Sequence, residues 1–151
     1  MSTLKGGEIY TIDSKGRVKL PAKMLKSLSN EDIESFVVNR GHDGCIDAYP
    51  INEWKEIEKK LHKLNQFDKD DRYFLRSFLM WSEETALDGN QRIVLPKKLL
   101  EFANITNEVR IIGVVDHIEI WNPEKLEQYM SERDPERERI SEEVMKRKID
   151  E

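Results

Sequence analysis

The sequence predicts an α+β fold made of two copies of one unit, and three observations support this prediction. The residues DSKGRVKLP at 13–21 return as DGNQRIVLP at 88–96, seventy-five positions later. Segments of alternating apolar and polar residues, typical of half-buried strands, flank the copies. In both copies a later proline is followed by apolar residues at helical spacing. Because an internal repeat governs the whole fold, we interpret the chain as two related units with a connecting segment and a tail.

The first unit begins with two strands joined by a tight turn. Residues 8–12 (EIYTI) alternate in the manner of a strand and lead into Asp13, a residue type that favours the start of a turn. Gly16 can adopt the positive φ that a tight reversal needs. The chain returns as the strand 18–20. Pro21 then suits the first position of a short helix, where its missing N–H has no cost.

The first unit continues with a hairpin and a longer helix. Residues 36–40 (FVVNR) and 45–49 (CIDAY) have strand-like composition, and the DG pair between them is a strong hairpin signal. Pro50 marks the start of a helix whose apolar residues fall on one face as far as Leu64. The predicted order is therefore strand, turn, strand, short helix, strand, hairpin, strand and helix.

A helix with an unusually wide apolar arc is predicted between the two units. Asp68 can cap this helix, which continues to about Trp81. Because aromatic and aliphatic side chains cover so much of its surface, the helix needs to be buried against something. Two interpretations are open: the helix bridges the two units inside the molecule, or it makes a subunit contact.

The second unit repeats the first in the same order. Asp88 and Gly89 are predicted to form its turn, as Asp13 and Gly16 form the first. The strand 118–121 (IEIW) corresponds to residues 46–49 at an offset of 72, because three residues are lost from an intervening loop. The repeat therefore extends over the whole unit.

These patterns divide the chain into four parts. After Met130 the charges are interspersed with almost no apolar residues, so this segment cannot bury a core. We expect it to be mobile or weakly helical. The predicted parts are the first repeat, the bridging helix, the second repeat and the charged C-terminal tail, at residues 4–64, 65–82, 83–130 and 131–151.

Charge is distributed unevenly along the chain. The net charge is −5, which by itself argues against a nucleic-acid partner because phosphates are neutralised by Lys and Arg. Residues 1–29, however, carry six cations against two anions, a local charge of +4, which leaves −9 for the remainder. The positive charge is gathered around the first copy of the repeated motif.

The expected location is the cytoplasm. The single Cys45 excludes an internal disulfide, fits a reducing compartment, and is predicted to be a small buried residue. The N-terminus lacks the apolar core of a signal peptide, and no run approaches the roughly 20 apolar residues of a membrane span. We therefore expect no membrane partner.

Nothing in the sequence indicates an enzyme. His42, His62 and His117 are scattered over different predicted elements and, with Cys45, do not give a recognisable zinc spacing. The chain has no glycine-rich phosphate loop, nucleophile elbow or HExxH motif. We expect no catalytic residue, metal, cofactor or small-molecule substrate.

The repeated Asp-x-x-x-Arg element has two interpretations. In the structural one, Asp13 caps backbone N–H groups of the turn while Arg17 pairs with a carboxylate. In the functional one, the turn presents Lys15 and Arg17 to phosphates and base edges. Both remain open for the first copy. The structural interpretation leads for the second copy, where the residues between Asp88 and its arginine include no cation.

Taken together, these motifs resemble those of the MraZ family, bacterial transcription regulators built from two SpoVT-AbrB-type repeats. The resemblance covers roughly residues 4–130. It rests on the first DSKGR with its proline, the RGxDGC and YPxxxW segments, the second Asp-x-x-x-Arg with its proline, and a glycine followed by EIW, which stand at 13–21, 40–45, 49–54, 88–96 and 113–121.

The resemblance implies a β-barrel-like core of intertwined, swapped hairpins with peripheral helices and a pseudo-twofold axis. It also implies a ring-shaped homo-oligomer that binds short tandem repeats of double-stranded DNA upstream of the cell division and cell wall operon, generally as a repressor associated with the nucleoid. Linked binding by copies in a ring would raise avidity, which answers the objection from net charge. The candidate DNA-binding residues are Lys5, Lys15, Arg17, Lys23 and Arg92.

Two other function classes are kept as alternatives. The first is an oligomeric protein-interaction scaffold without DNA specificity, with the charged tail or the apolar bridging helix as its docking surface; an antidote-type member of the same superfold is a variant of it. The second is an enzyme, which only a metal around His42 and Cys45 would support.

Overall fold

The computed structural model describes residues 3–149. The strands are β1 (Gly7–Thr11), β2 (Arg17–Lys19), β3 (Ser35–Arg40), β4 (Ile46–Pro50), β5 (Glu83–Ala86), β6 (Arg92–Val94), β7 (Glu108–Val114) and β8 (His117–Trp121). The helices are α1 (Ala22–Lys26), α2 (Ile51–Leu61), α3 (Lys69–Leu79), α4 (Lys97–Phe102), α5 (Pro123–Arg133) and α6 (Arg137–Ile149). Short 3₁₀ turns lie at His42–Gly44 and Asp134–Glu136.

The two repeats exchange strands. Six strands form one antiparallel sheet in the order β1-β7-β8-β4-β3-β5, and β2 pairs with β6 in a separate two-stranded ribbon. The first strand of the first repeat, β1, therefore pairs with β7 of the second repeat, and β5 of the second repeat pairs with β3 of the first. The sheet is symmetric about the junction of β4 and β8, which places a pseudo-twofold axis there.

This architecture confirms the predicted α+β fold with two intertwined repeats, with one difference. The sheet is open and ends at β1 and β5, so the β-barrel-like core that the resemblance implied is not a closed barrel. At each end the chain leaves the sheet through a turn and enters the β2–β6 ribbon, so the two edge strands do not meet.

The hydrophobic core lies between the ribbon and the sheet. Alternate residues of β2 and β6 point inward, and Val18 and Ile93 have no exposed surface. Because an ideal core leaves little room for relaxation, shortening such a side chain to alanine costs about 2–5 kcal/mol. The fully buried residues of this core include Val18, Leu20, Phe36, Val38, Ile46, Ile93, Leu99, Ile111, Ile118 and Ile120.

The hairpin between β3 and β4 follows the prediction from its DG pair. Asp43 and Gly44 both have positive φ, at 65° and 93°. The N–H of Gly41 donates to the carbonyl oxygen of Cys45 at 2.8 Å and closes the connection. The reversal therefore depends on two left-handed residues, a conformation that Gly and Asp tolerate better than most residues.

The predicted bridging helix is present as α3, and its C-terminal end joins the two repeats. Asp68 caps it by accepting hydrogen bonds from two backbone N–H groups, as predicted. At the other end, the amide of Asn39 and the guanidinium of Arg40 donate to the carbonyl oxygens of Phe78 and Ser77. The cation thus lies at the negative end of the helix dipole.

Trp81 continues this connection. The Arg40 guanidinium lies 4.5 Å from the centroid of the Trp81 ring, and Phe102 of the second repeat packs against the same ring at 6.0 Å. Trp81 therefore packs between the two halves. The apolar arc of α3 is covered only in part: Phe78 stacks on Trp54 at 5.7 Å, whereas Tyr73, Phe74 and Met80 are exposed.

The charged tail is helical. It continues from α5 through a 3₁₀ turn into α6, and the described side chains of α6 are exposed except for the half-buried Ile140. Arg139 pairs with Glu136 at 2.8 Å and with Glu143 at 3.1 Å along the helix surface. The tail is thus helical over Arg137–Ile149 and adds little to the core.

The sequence predicted no segment that spans a membrane, and the helices of the structure can be checked for one. Within residues 3–149, none of the helices combines the length and the apolar character that a transmembrane span requires.

Candidate nucleic-acid interface

The first Asp-x-x-x-Arg turn is held together by one carboxylate. Asp13 Oδ1 accepts from the backbone N–H groups of Lys15 at 3.0 Å and Arg17 at 2.9 Å, and Asp13 Oδ2 accepts from Arg17 Nε at 2.7 Å. The N–H of Gly16 donates to the carbonyl of Asp13, and Gly16 has a φ of 80°. A turn followed by a left-handed glycine is a common hairpin geometry.

The second turn has the same geometry without a glycine at the left-handed position. Asp88 Oδ1 accepts from the N–H groups of Asn90 and Arg92, both at 2.9 Å, and Asp88 Oδ2 accepts from Arg92 Nε at 2.9 Å. Gln91 has a φ of 62° and occupies the place of Gly16. Gly89 lies in the turn as predicted, but the positive φ belongs to Gln91. Both turns therefore have the hydrogen bonds that the structural interpretation describes.

The two turns are bonded to each other. Leu95 N–H donates to the carbonyl of Gly16 at 2.8 Å, and Leu20 N–H donates to the carbonyl of Gln91 at 3.0 Å. In the ribbon between them, Val18 lies opposite Ile93 and Lys19 lies opposite Arg92. The two motifs, related by the pseudo-twofold axis, are therefore neighbours in one ribbon and not two separate sites.

Hydrogen bonding keeps both turn carboxylates ionised. The pKa of Asp13 is lowered, first by the backbone N–H of Arg17 and then by its guanidinium, and Arg92 lowers the pKa of Asp88 in the same way. Arg92 Nη1 also lies 4.0 Å from Asp13 Oδ2. Each arginine side chain is thus oriented by the hydrogen bond from its Nε. The two Nη atoms of the guanidinium take no part in that bond.

The outward face of the ribbon is cationic. Because Val18 and Ile93 point into the core, the neighbouring positions point outward, and these carry Arg17, Lys19 and Arg92. The fourth outward residue, Val94, is 47% exposed. Lys19 was not among the predicted DNA-binding residues, although the alternation of Arg17, Val18 and Lys19 was a signal that could have identified it.

The other predicted cations lie in the first turn and in a separate groove. Lys15 is exposed within the first turn. Lys5 and Lys23, both exposed, line one groove of about 250 Å³ together with Tyr10 and Pro21. One residue of the groove, Pro21, lies two positions after the end of β2 in the sequence. The structure therefore brings Arg17 to Arg92 across the turns and Lys5 to Lys23 across the groove.

The fold and the site define a class of protein: a strand-exchanged two-repeat α+β protein that carries a cationic two-stranded ribbon on its pseudo-twofold axis. Comparison with known proteins agrees with this class. The family model described as "MraZ protein, putative antitoxin-like" matches the chain twice, over residues 4–77 and 78–148. The chain belongs to the MraZ family.

Similar curated proteins support the assignment. The chain is 42% identical over 136 residues to the transcriptional regulator MraZ of Natranaerobius thermophilus, covering 90% of this chain and 92% of that protein. It is 42% identical over 139 residues to the regulator of the same name from Caldanaerobacter subterraneus subsp. tengcongensis, covering 92% and 94%. For the one from Clostridium tetani the identity is 39% over 120 residues, covering 80% and 82%. These relatives are named as regulators and not as enzymes, in agreement with the prediction that the protein is not an enzyme.

Proposed function

We propose that this protein is a sequence-specific DNA-binding regulator of transcription that reads DNA with the outward face of the β2–β6 ribbon. The observation that carries the proposal is the group of three cations, Arg17, Lys19 and Arg92, on one face of a ribbon whose other face is in the core. The names of the similar proteins, transcriptional regulators, support it.

The ribbon has dimensions and chemistry that suit the major groove. That groove admits a two-stranded β-ribbon, and an arginine there can donate two parallel hydrogen bonds to the O6 and N7 atoms of guanine. Asp13 holds Arg17 through Nε, so little side-chain freedom remains to be lost on binding. Arg17 is therefore proposed to contact base edges, with Arg92 as its partner from the second repeat.

The lysines are proposed to contact phosphates. Lys15 at the tip of the turn and Lys19 on β2 flank Arg17, and Lys5 and Lys23 line the adjoining groove. Lysine is a flexible point charge and suits the sequence-independent part of binding. These contacts fix the position of the ribbon, while the arginines distinguish the sequence.

Assembly into a ring-shaped homo-oligomer belongs to the same proposal. The exposed apolar side chains of α3 offer a subunit contact, since a helix surface of this kind is normally covered. Several ribbons in one ring can engage short tandem DNA repeats together, and linked binding raises avidity by orders of magnitude. We propose that the target is the region upstream of the cell division and cell wall operon, that the usual effect is repression, and that the protein acts in the cytoplasm at the nucleoid.

One observation favours a second candidate, an oligomeric protein-interaction scaffold. The apolar arc of α3 and the exposed helix α6 would be its docking surfaces. The two candidates make different predictions for DNA. A scaffold has no preference for operon-derived tandem repeats over a scrambled duplex of equal length and composition.

The test is a titration of both duplexes at fixed salt with the wild-type protein and two variants. Arg17→Ala should remove the preference for the tandem repeats, and Lys69→Ala, which removes an exposed cation on α3, is the matched control and should bind as the wild type does. Circular dichroism and mass determination in solution establish that each variant is folded and equally oligomeric. Unchanged operator affinity of Arg17→Ala would refute the assignment of the ribbon as the reader.

A further inference from the structure

Four chemically diverse side chains converge where the two repeats meet at the centre of the sheet. The sulfur of Cys45 and one carboxylate oxygen each of Asp47 and Glu119 lie within 4.8 Å of one another. His117 Nε2 lies 3.6 Å from Asp47 Oδ1 and 3.9 Å from Glu119 Oε2. The thiol and the two carboxylates thus form one group, and the imidazole lies beside the two carboxylates.

The repeat itself creates this convergence. Asp47 and Glu119 are directly opposite each other on β4 and β8, which adjoin the pseudo-twofold axis. At the offset of 72 between the two repeats, position 47 corresponds to 119 and position 45 to 117. The four residues are therefore two equivalent pairs, Cys45 with Asp47 and His117 with Glu119, brought together by the axis.

The charges at this place need a cation between them. Asp47 is only 5% exposed and Cys45 is fully buried. Two carboxylates directly opposite on neighbouring strands repel each other. His117 Nε2 faces both carboxylates, so a positive charge can lie between them.

A second layer of hydrogen bonds orients the side chains. Asp116 Oδ1 lies 2.8 Å from His117 Nδ1, which leaves Nε2 facing the carboxylates. The indole N–H of Trp121 donates to Glu119 Oε1 at 2.9 Å, and the hydroxyl of Tyr49 donates to Asp47 Oδ2 at 3.2 Å. Ligands of metal sites are typically held in this way, with a carboxylate on the far nitrogen of the histidine.

One member of the cluster, Asp47, lines a surface cavity. Asp47 lines a cavity of about 320 Å³ together with His42, Tyr49 and Phe74. Arg40 also lines it, but its guanidinium is engaged by Ser77 and Trp81. An ion therefore has a route to Asp47 past His42.

We propose that Cys45, Asp47, His117 and Glu119 form a binding site for one divalent transition metal of the zinc class. Zinc is bound by thiolate, imidazole and carboxylate ligands in four-coordinate sites, whereas Mg²⁺ and Ca²⁺ select oxygen ligands alone. The metal would be held by the thiolate of Cys45 and the neutral imidazole of His117, and any proton that these groups carry is released to solvent on binding. The bound ion would join β4 to β8 and hence the two repeats.

The first experiment uses Co²⁺ as a spectroscopic probe on the full-length, untagged protein after removal of metal with a chelator. We expect about one Co²⁺ per chain, a sulfur-to-cobalt charge-transfer band in the near ultraviolet, and the intense d–d bands of tetrahedral cobalt. Zn²⁺ should displace the cobalt and abolish the spectrum, and Mg²⁺ should not.

Variants assign the ligands. Cys45→Ser should remove the charge-transfer band, and Asp47→Asn and Glu119→Gln should each weaken binding by more than about tenfold. The matched control is His62→Asn, which removes an exposed histidine of α2 and should leave the spectrum unchanged. Circular dichroism shows which variants are folded, and because three ligands are tested separately, failure of one variant to fold does not prevent the test.

Three results would overturn the proposal. They are no cobalt spectrum at all, a spectrum without the sulfur band that survives Cys45→Ser and Asp47→Asn, and a spectrum lost on His62→Asn. In the first case His117 is only the internal counter-ion of the two carboxylates, and in the others the metal binds elsewhere on the surface.

Discussion

Replacing Gly16 by alanine tests whether the strand exchange depends on one backbone position. Gly16 combines a φ of 80° with a close approach to the second repeat, because a Cβ added there would lie 2.7 Å from the carbonyl oxygen of Leu95. That oxygen belongs to the backbone and cannot rotate away. The N–H of the same Leu95 donates to Gly16. A side chain at position 16 therefore disturbs the bond that joins the two turns.

The expected loss of stability can be worked from three contributions. A side chain in the left-handed region costs about 1–2 kcal/mol. Weakening the hydrogen bond between Leu95 and Gly16 costs about 1 kcal/mol. The reduced entropy of the unfolded chain returns about 0.4–1 kcal/mol. The free energy of unfolding should thus fall by about 1–2.6 kcal/mol, which for a chain of this size lowers Tm by about 2–10 °C.

The assay is denaturant unfolding at a fixed protein concentration, with two comparison variants from the second turn. Gly89→Ala makes the same substitution where φ is not positive and no atom lies within 4 Å, so we expect no loss. Gln91→Gly relieves a positive φ but adds entropy to the unfolded chain, so the two effects should nearly cancel. If Gly16→Ala and Gly89→Ala were equally stable, the argument from the Leu95 contact would be refuted.

Three further predictions concern acid stability, helix docking and DNA affinity. The pKa of Asp13 and of Asp88 is lower in the folded protein than in the unfolded chain, so these carboxylates stabilise the fold above the unfolded-state pKa, and this stabilisation is lost as pH falls through the folded-state pKa. In an acid titration, the double variant D13N/D88N should therefore lose stability less steeply than the wild type below about pH 4. An identical slope would contradict this prediction. Arg40→Met should lower the free energy of unfolding by about 1.5–3 kcal/mol and alter the fluorescence of Trp81, because it removes the hydrogen bond to the Ser77 carbonyl and the cation over the Trp81 ring. An unchanged emission spectrum would count against the packing of Arg40 on Trp81. Lys19→Ala should weaken operator binding and reduce the salt slope of log K by about 1, whereas Val94→Ala, on the same face, should leave the slope unchanged.

The elements of this fold could be predicted from the sequence because their signals are local. The turn at Asp13, the DG hairpin and the Asp68 cap each depend on a few neighbouring residues, and all three are present. The pairing of β1 with β7 joins residues about a hundred positions apart, and alternation within a strand does not indicate its partner. Local patterns therefore do not show where the sheet of the β-barrel-like core ends, and its two open edges are visible only in the structure.

The two candidate sites also differ in how local their sequence signals are. Arg17 was predicted as a candidate DNA-binding residue because its motif is repeated, and the carboxylate that holds it lies four residues away. The spacing of possible metal ligands along the sequence did not indicate the cluster around Asp47, because each repeat supplies only two of its four residues. The offset of 72 relates position 47 to 119, and this was visible in the sequence, but only the pairing of β4 with β8 makes these residues neighbours.

The ribbon is symmetric in its backbone and asymmetric in its charge, and this bears on how it would read DNA. The offset of 75 relates Lys15 to Asn90 and Lys19 to Val94, so the first repeat supplies two lysines where the second supplies none. A ribbon with equal ends would suit a palindromic site, since its symmetry would match that of the DNA. With unequal ends, the two orientations on the duplex differ in the number of phosphates neutralised, so one orientation is favoured at each site. In the proposed function this polarity suits short repeats that all point in the same direction, each engaged by one ribbon of the oligomer.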